Sequence, residues 1–132
     1  MKILIVDDHE ETADLLEASA SLWGHFADKV YNGRQAMEML RQHSYDVLIT
    51  DAQMPEMSGF ELCRYARDQF PDMFIIGITG SMEFPKFKEA GADIFFKKPF
   101  DFDELEEVLK NVRLASRQQA MSNRGKTIPL NV

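Results

Sequence analysis

The sequence predicts an α/β protein: a doubly wound, five-stranded parallel sheet with helices on both faces. Three observations point there. Apolar runs such as "KILIV", "DVLITD" and "MFIIGIT" do not alternate with polar residues, as expected of strands covered on both faces. Segments with helical spacing separate these runs in regular alternation, which calls for right-handed crossovers. Polar and charged residues gather where the runs end, at the carboxyl ends of strands, where such sheets hold ligands.

In chain order, "KILIV" is the first strand. "EETADLLEASASLWG" follows as a helix, with Leu15, Ser19 and Leu22 in one stripe beside Leu16, Ala20 and Trp23, and Gly24 as its stop. "HFADKVY" reads as a short strand. After the turn "NG" comes the helix "RQAMEMLRQH", with Ala36, Met37 and Leu40 on one face. "DVLITD" is the third strand, and the loop "AQMPEMSG" leads to the helix "FELCRYARDQF", where Phe60, Cys63, Arg67 and Phe70 share a side and Pro71 lies beyond the end. "MFIIGIT" is the fourth strand and "SMEFPKFKEAG" holds at most a short helix. "DIFFKK" is the fifth strand, broken by Pro99. "DFDELEEVLKNVRLA" is the last helix, with Asp101 as its cap and Glu104 three residues on.

Composition bounds the function. The 132 residues suit one domain, and 45% hydrophobic with 28% charged residues is ordinary for a globular chain. The apolar runs are far too short for a membrane span, and no secretory leader precedes the first strand, so the expected location is cytoplasmic. The single Cys63 excludes an internal disulfide and a thiolate-rich metal site; its place on the helix stripe reads as packing. Residues 1–112 carry 22 acids and 11 bases, hence −11, whereas Arg113, Arg117, Arg124 and Lys126 give the last twenty residues +4. The acidic body argues against direct nucleic-acid binding. Residues 1–114 are expected to form the domain and 115–132 a basic tail or linker, partly helical or disordered.

The chemistry begins with Asp7 and Asp8, two adjacent carboxylates at the end of the first strand. At about 4 Å such groups repel by roughly 4 kcal/mol at an effective dielectric near 20, so solvent or a cation must offset them. Asp51 ends the third strand, Thr79 the fourth and Lys98 the fifth. A cluster of carboxylate oxygens suits a hard cation, Mg²⁺ rather than Zn²⁺. The lysine and the threonine hydroxyl are what a phosphoryl group needs for charge neutralisation and hydrogen bonding, and a carboxylate is left to attack phosphorus. His9, His25 and His43 read as solvated, and His9, beside the acid pair, is placed to sense the site.

The set "IVDD", "DVLITDAQMPEMSGFEL", "IIGITG" and "EAGADIFFKKPF", in this order, resembles the receiver domain of two-component response regulators over residues 1–114. The resemblance implies the flavodoxin-like strand order 2-1-3-4-5. It makes Asp51 the phosphoacceptor. It has Asp8 ligate Mg²⁺ directly, Asp7 mainly through water and Gln53 through its backbone carbonyl. Lys98 would pair with the phosphoryl oxygens, Thr79 would hydrogen-bond them after phosphorylation, and Phe95 falls at the aromatic rotamer switch. Lys98 is preferred to Lys97 because it directly precedes Pro99, and the Lys98–Pro99 bond is expected to be cis. The implied partners are a histidine kinase or histidine phosphotransfer protein, a downstream target or output domain, and a phosphorylation-dependent second copy. Thr79 and Gly91 are twelve steps apart, about one helical turn fewer than receivers usually have. The fourth helix should therefore be short, from about residue 84 to 90, with Pro85 in its first turn.

Two other functions compete. An Mg²⁺-dependent phosphohydrolase on a similar sheet generally places a second Asp two residues after its nucleophile; here that position is Gln53, which has no proton to donate at neutral pH. A pseudo-receiver used only for protein contact would not need the intact Asp51, Thr79 and Lys98. The expectation is a signalling phosphoacceptor rather than a dedicated enzyme.

Overall fold

The computed structural model describes residues 1–81 and 83–115 of the chain. It divides into two compact units, Met1–Phe100 and Asp101–Val132. In the first unit the order is β1 (Lys2–Val6), α1 (Glu10–Leu22), β2 (Phe26–Val30), α2 (Gly33–Gln42), β3 (Val47–Asp51), α3 (Gly59–Gln69), β4 (Phe74–Thr79), α4 (Phe84–Ala90) and β5 (Ile94–Lys97). The strands form one parallel sheet in the order β2-β1-β3-β4-β5, as the resemblance implied. In the second unit a helix, α5, spans 102–115; the Asp101 carboxylate accepts from Asp103 N at 2.8 Å, and its backbone carbonyl accepts from Glu104 N. The basic tail expected over 115–132 lies, beyond residue 115, outside the described residues.

Doubly wound topology follows from the reversal of strand order. The step from β1 to β2 runs one way across the sheet and the steps from β2 to β5 run the other. Right-handed crossovers therefore put α1 on one face and α2, α3 and α4 on the opposite face. Burial agrees. Leu4, Val6, Leu48 and Ile75 share a core with Ala36 and Leu40 of α2, Phe60 and Cys63 of α3, and Phe87 of α4. Ile3 and Ile5, pointing the other way along β1, are buried on the side of Ala13, Leu16 and Ala20 of α1.

Local chemistry sets the helix ends. The Asn32 carboxamide accepts from Gln35 N at 2.8 Å while the Gln35 side chain accepts from Tyr31 N, and Ser58 Oγ accepts from Glu61 N. Gly91 ends α4 with φ at 104°, a conformation only glycine adopts without strain. The fourth helix is short, seven residues with Pro85 in its first turn. Phe87, fully buried, anchors it: its ring lies 4.6 Å from that of Phe60 and flat against Gly77 of β4, where a Cβ would fall 2.6 Å from a ring carbon.

Docking selects one stripe of α1, and one histidine reading is corrected. Of the paired stripes on α1, Leu16 and Ala20 face the core, but Leu15 and Leu22 stay exposed, because a helix over one sheet edge buries only one narrow arc. His25 is buried rather than solvated, with its Nδ1 3.2 Å from the Met1 amino group. Cys63 is buried, as the helix stripe implied, and burial pushes its thiol up to about 11.

Candidate functional site

The sheet's register gathers the polar strand ends. Val6 pairs with Thr50, Asp51 with Ile78 and Thr79 with Lys97, so residues 7, 51, 79 and 98 finish side by side on one rim. Backbone hydrogen bonds extend the ladder past the strands, from Asp7 N to Val30 O, Ala52 N to Ile78 O and Lys98 N to Thr79 O. Lys98 stands one residue beyond β5, and the Lys98–Pro99 peptide bond is cis. The side chain of Lys98 reaches back into the acids, with Nζ 3.1 Å from Asp51 Oδ1 and 3.5 Å from Asp7 Oδ2.

Asp7 and Asp51 are buried, and Asp8 is half-buried at the mouth. Three negative charges in a poorly solvated pocket conflict. Burial, and then the charge of Asp7, hold the Asp51 carboxyl above its ordinary range despite the opposing hydrogen bond from Lys98. Burial alone would lower Lys98, but its hydrogen bond and charge attraction to Asp51, followed by Asp7, keep it above its ordinary value. One lysine does not satisfy the cluster. Asp7 Oδ2 and Asp8 Oδ1 are buried without a hydrogen-bond partner; at 3.5 Å Lys98 pairs electrostatically with Asp7 Oδ2 but is too far to donate well. Oxygen atoms from Asp7, Asp8 and Asp51, with one nitrogen of His9, all lie within 4.8 Å of one another. Orphaned buried carboxylate oxygens converging at this spacing are what a hard divalent cation requires, so the donor set fits Mg²⁺.

The remaining residues surround this centre. Thr79 is fully buried; its Oγ1 accepts from Ser81 N at 3.1 Å and shares a hydrogen bond with Ser81 Oγ. Gln53 lies exposed in the loop after β3, and Lys86 Nζ donates to the Glu83 carboxylate at 2.9 Å. Phe95 pairs with Gly77 across β4 and β5 and is 38% exposed. The sequence reading singled out neither Ser81 nor Phe87. A hydroxyl two residues after a strand-end Thr and an aromatic residue inside an undersized helix were the available signals.

The chain is similar to known proteins. The response regulator receiver domain family matches residues 3–110. The response regulator ArlR of Staphylococcus aureus is 33% identical over 120 residues, covering 89% of this chain and 53% of that protein. The chain thus spans about half the length of the curated relatives it matches. Among solved structures, the response regulator TrrA of Thermotoga maritima, in complex with Mg²⁺ and BeF, is 33% identical with a TM-score of 0.77, covering 84% of this chain and 97% of that one. The chemotaxis response regulator CheY4 of Vibrio cholerae is 28% identical with a TM-score of 0.78, covering 84% and 97%. Among the described residues, no helix is long and apolar enough to cross a membrane.

Proposed function

The chain belongs to the response regulator receiver domain family, and from that premise we propose that Asp51 accepts a phosphoryl group from a histidine kinase or phosphotransfer protein. One observation carries the reading: the Lys98 ammonium lies 3.1 Å from Asp51 Oδ1 within a pocket that also holds Asp7, Asp8 and Thr79. A carboxylate oxygen of Asp51 attacks phosphorus, a new O–P bond forms, and the P–N bond to the donor histidine breaks. Lys98 neutralises the charge that builds on the phosphoryl oxygens, the electrostatic role such a half-buried, positioned ammonium performs. Mg²⁺, held by Asp8 and Asp51 directly, Asp7 through water and the Gln53 carbonyl, would supply further charge neutralisation and satisfy the orphaned carboxylate oxygens.

The response is conformational. Once a phosphoryl group stands on Asp51, the Thr79 hydroxyl exchanges its Ser81 partners for a phosphoryl oxygen, and Phe95 turns inward. Residues 1–114 act as the receiver, and a downstream protein or output domain reads the changed surface, with a second copy as one candidate. No acid at position 53 supports substrate turnover, so the signalling reading stands above hydrolysis.

Labelling from a small phosphodonor, with and without Mg²⁺, tests the reading. Mg²⁺-dependent, stoichiometric and slowly decaying label is expected. Rapid continuous release of phosphate would indicate a phosphohydrolase, and failure to label would indicate a contact module.

A further inference from the structure

His9 follows the acid pair in sequence and occupies the N-cap position of α1, where its side chain makes no capping hydrogen bond. Its Nδ1 lies 3.3 Å from Asp7 Oδ1 and also 3.3 Å from Asp8 Oδ1. The contact to Asp7 is a long hydrogen bond, beyond the roughly 2.7–2.9 Å of a strong charge-assisted one, and the His9 backbone N–H also donates to Asp7 Oδ1 at 2.9 Å. Here one nitrogen stands equally far from two acids. Asp8 Oδ1 still lacks a hydrogen-bond partner, as does Oδ2 of Asp7, a residue only 1% exposed. Donor atoms of Asp7, Asp8, His9 and Asp51 spread over 4.8 Å. Two ligands on opposite sides of one ion, with bonds near 2.2 Å, stand about 4.4 Å apart, so a contraction of a few tenths of an ångström brings Asp8, His9 and Asp51 onto a common centre, with Asp7 reached through water.

From this geometry we propose that His9 is a nitrogen ligand of the acidic site and biases it toward a divalent transition ion over Mg²⁺. The proposal rests on the reading of Asp7, Asp8 and Asp51 as the metal-holding trio. Mg²⁺ prefers oxygen donors and gives up its waters reluctantly, so an imidazole adds little to its binding. Mn²⁺, Co²⁺ and Zn²⁺ accept imidazole readily, and Co²⁺ binds such donors more tightly than Mn²⁺. The ring is 68% exposed, so it has room to swing toward an ion and its removal should leave the core intact.

Pulsed EPR of the full chain loaded with Mn²⁺ tests the assignment, because a directly bound imidazole imposes a nitrogen modulation that carboxylates and water do not. Wild-type protein should show that modulation and His9→Ala should lose it. In Mn²⁺–Mg²⁺ competition the wild-type preference for Mn²⁺ should fall about tenfold in His9→Ala, the scale on which one ligand-shell change alters metal affinity. Bound Mn²⁺ without nitrogen modulation, or modulation that persists in His9→Ala, overturns the role of His9 while leaving the acidic trio in place. Mn²⁺ that fails to bind, or binds Asp8→Ala unchanged, overturns the trio as well.

Discussion

Gly59, the first residue of α3, lies so close to the backbone carbonyl of Asp51 that a methyl group on Gly59 would overlap its oxygen. Gly59 N also donates to Ala52 O at 2.8 Å. The start of α3 thus grips the chain where β3 delivers Asp51 to the rim, and the contact is backbone against backbone.

Gly59→Ala should be costly for that reason. Overpacking costs about 1–3 kcal/mol where side chains can shift, and here no flexible side chain can give. A loss at or beyond the upper end of that range is expected from denaturant midpoints. A change below 0.5 kcal/mol, the scale of ordinary surface substitutions, would mean that the helix start is not held against β3.

Phe87 should matter as much to stability and not at all to the acids. It is fully buried against Gly77 and Phe60, and removal of such a ring costs about 3–5 kcal/mol. Asp7 and Asp8 follow β1 and Asp51 ends β3, so none is carried by α4, and Phe87→Ala should keep the thermal shift given by saturating Mg²⁺. At one hundred times the dissociation constant that shift corresponds to about 2.7 kcal/mol. Loss of the shift in folded Phe87→Ala would tie the metal site to α4.

Asp51 makes stability depend on pH. Its folded carboxyl is held above the ordinary range by burial and then by Asp7, so the folded state keeps this proton more tightly than the unfolded chain does. The stabilisation is fully present below the unfolded value, about 4, and is lost as pH rises through the higher folded value. At pH 7 the ionised group is a liability of the metal-free protein. Asp51→Asn should therefore raise its melting temperature at pH 7, with the advantage shrinking as pH falls toward 4. An advantage that grows toward low pH would reverse the sign of this account.

Much of this was legible in the sequence because it depends on local pattern. Continuous apolar runs separated by helical periodicity define the sheet, and the short interval from Thr79 to Gly91, with Pro85 inside it, sets the length of α4. What escaped depends on tertiary placement. Leu15 and Leu16 are neighbours on a helix whose periodicity admits two stripes, and only docking on the sheet selects Leu16. His25 is polar by type but is covered beside the chain's amino group. The convergence of Asp7, Asp51, Thr79 and Lys98 follows from strand order, whereas the Ser81 hydrogen bonds to Thr79 depend on a turn that residue spacing does not specify. His9 was visible beside the acids, but its equal distance from both appears only in three dimensions.

The central claim is that Asp51 carries the phosphoryl group, and chemical trapping tests it most directly. After incubation with a small phosphodonor and Mg²⁺, borohydride reduces an aspartyl phosphate to homoserine and marks the residue in its peptide. Homoserine at position 51 in the wild type, with none in Asp51→Asn, is the expected result. Homoserine at Asp7 or Asp8, or label that survives in Asp51→Asn, would contradict it.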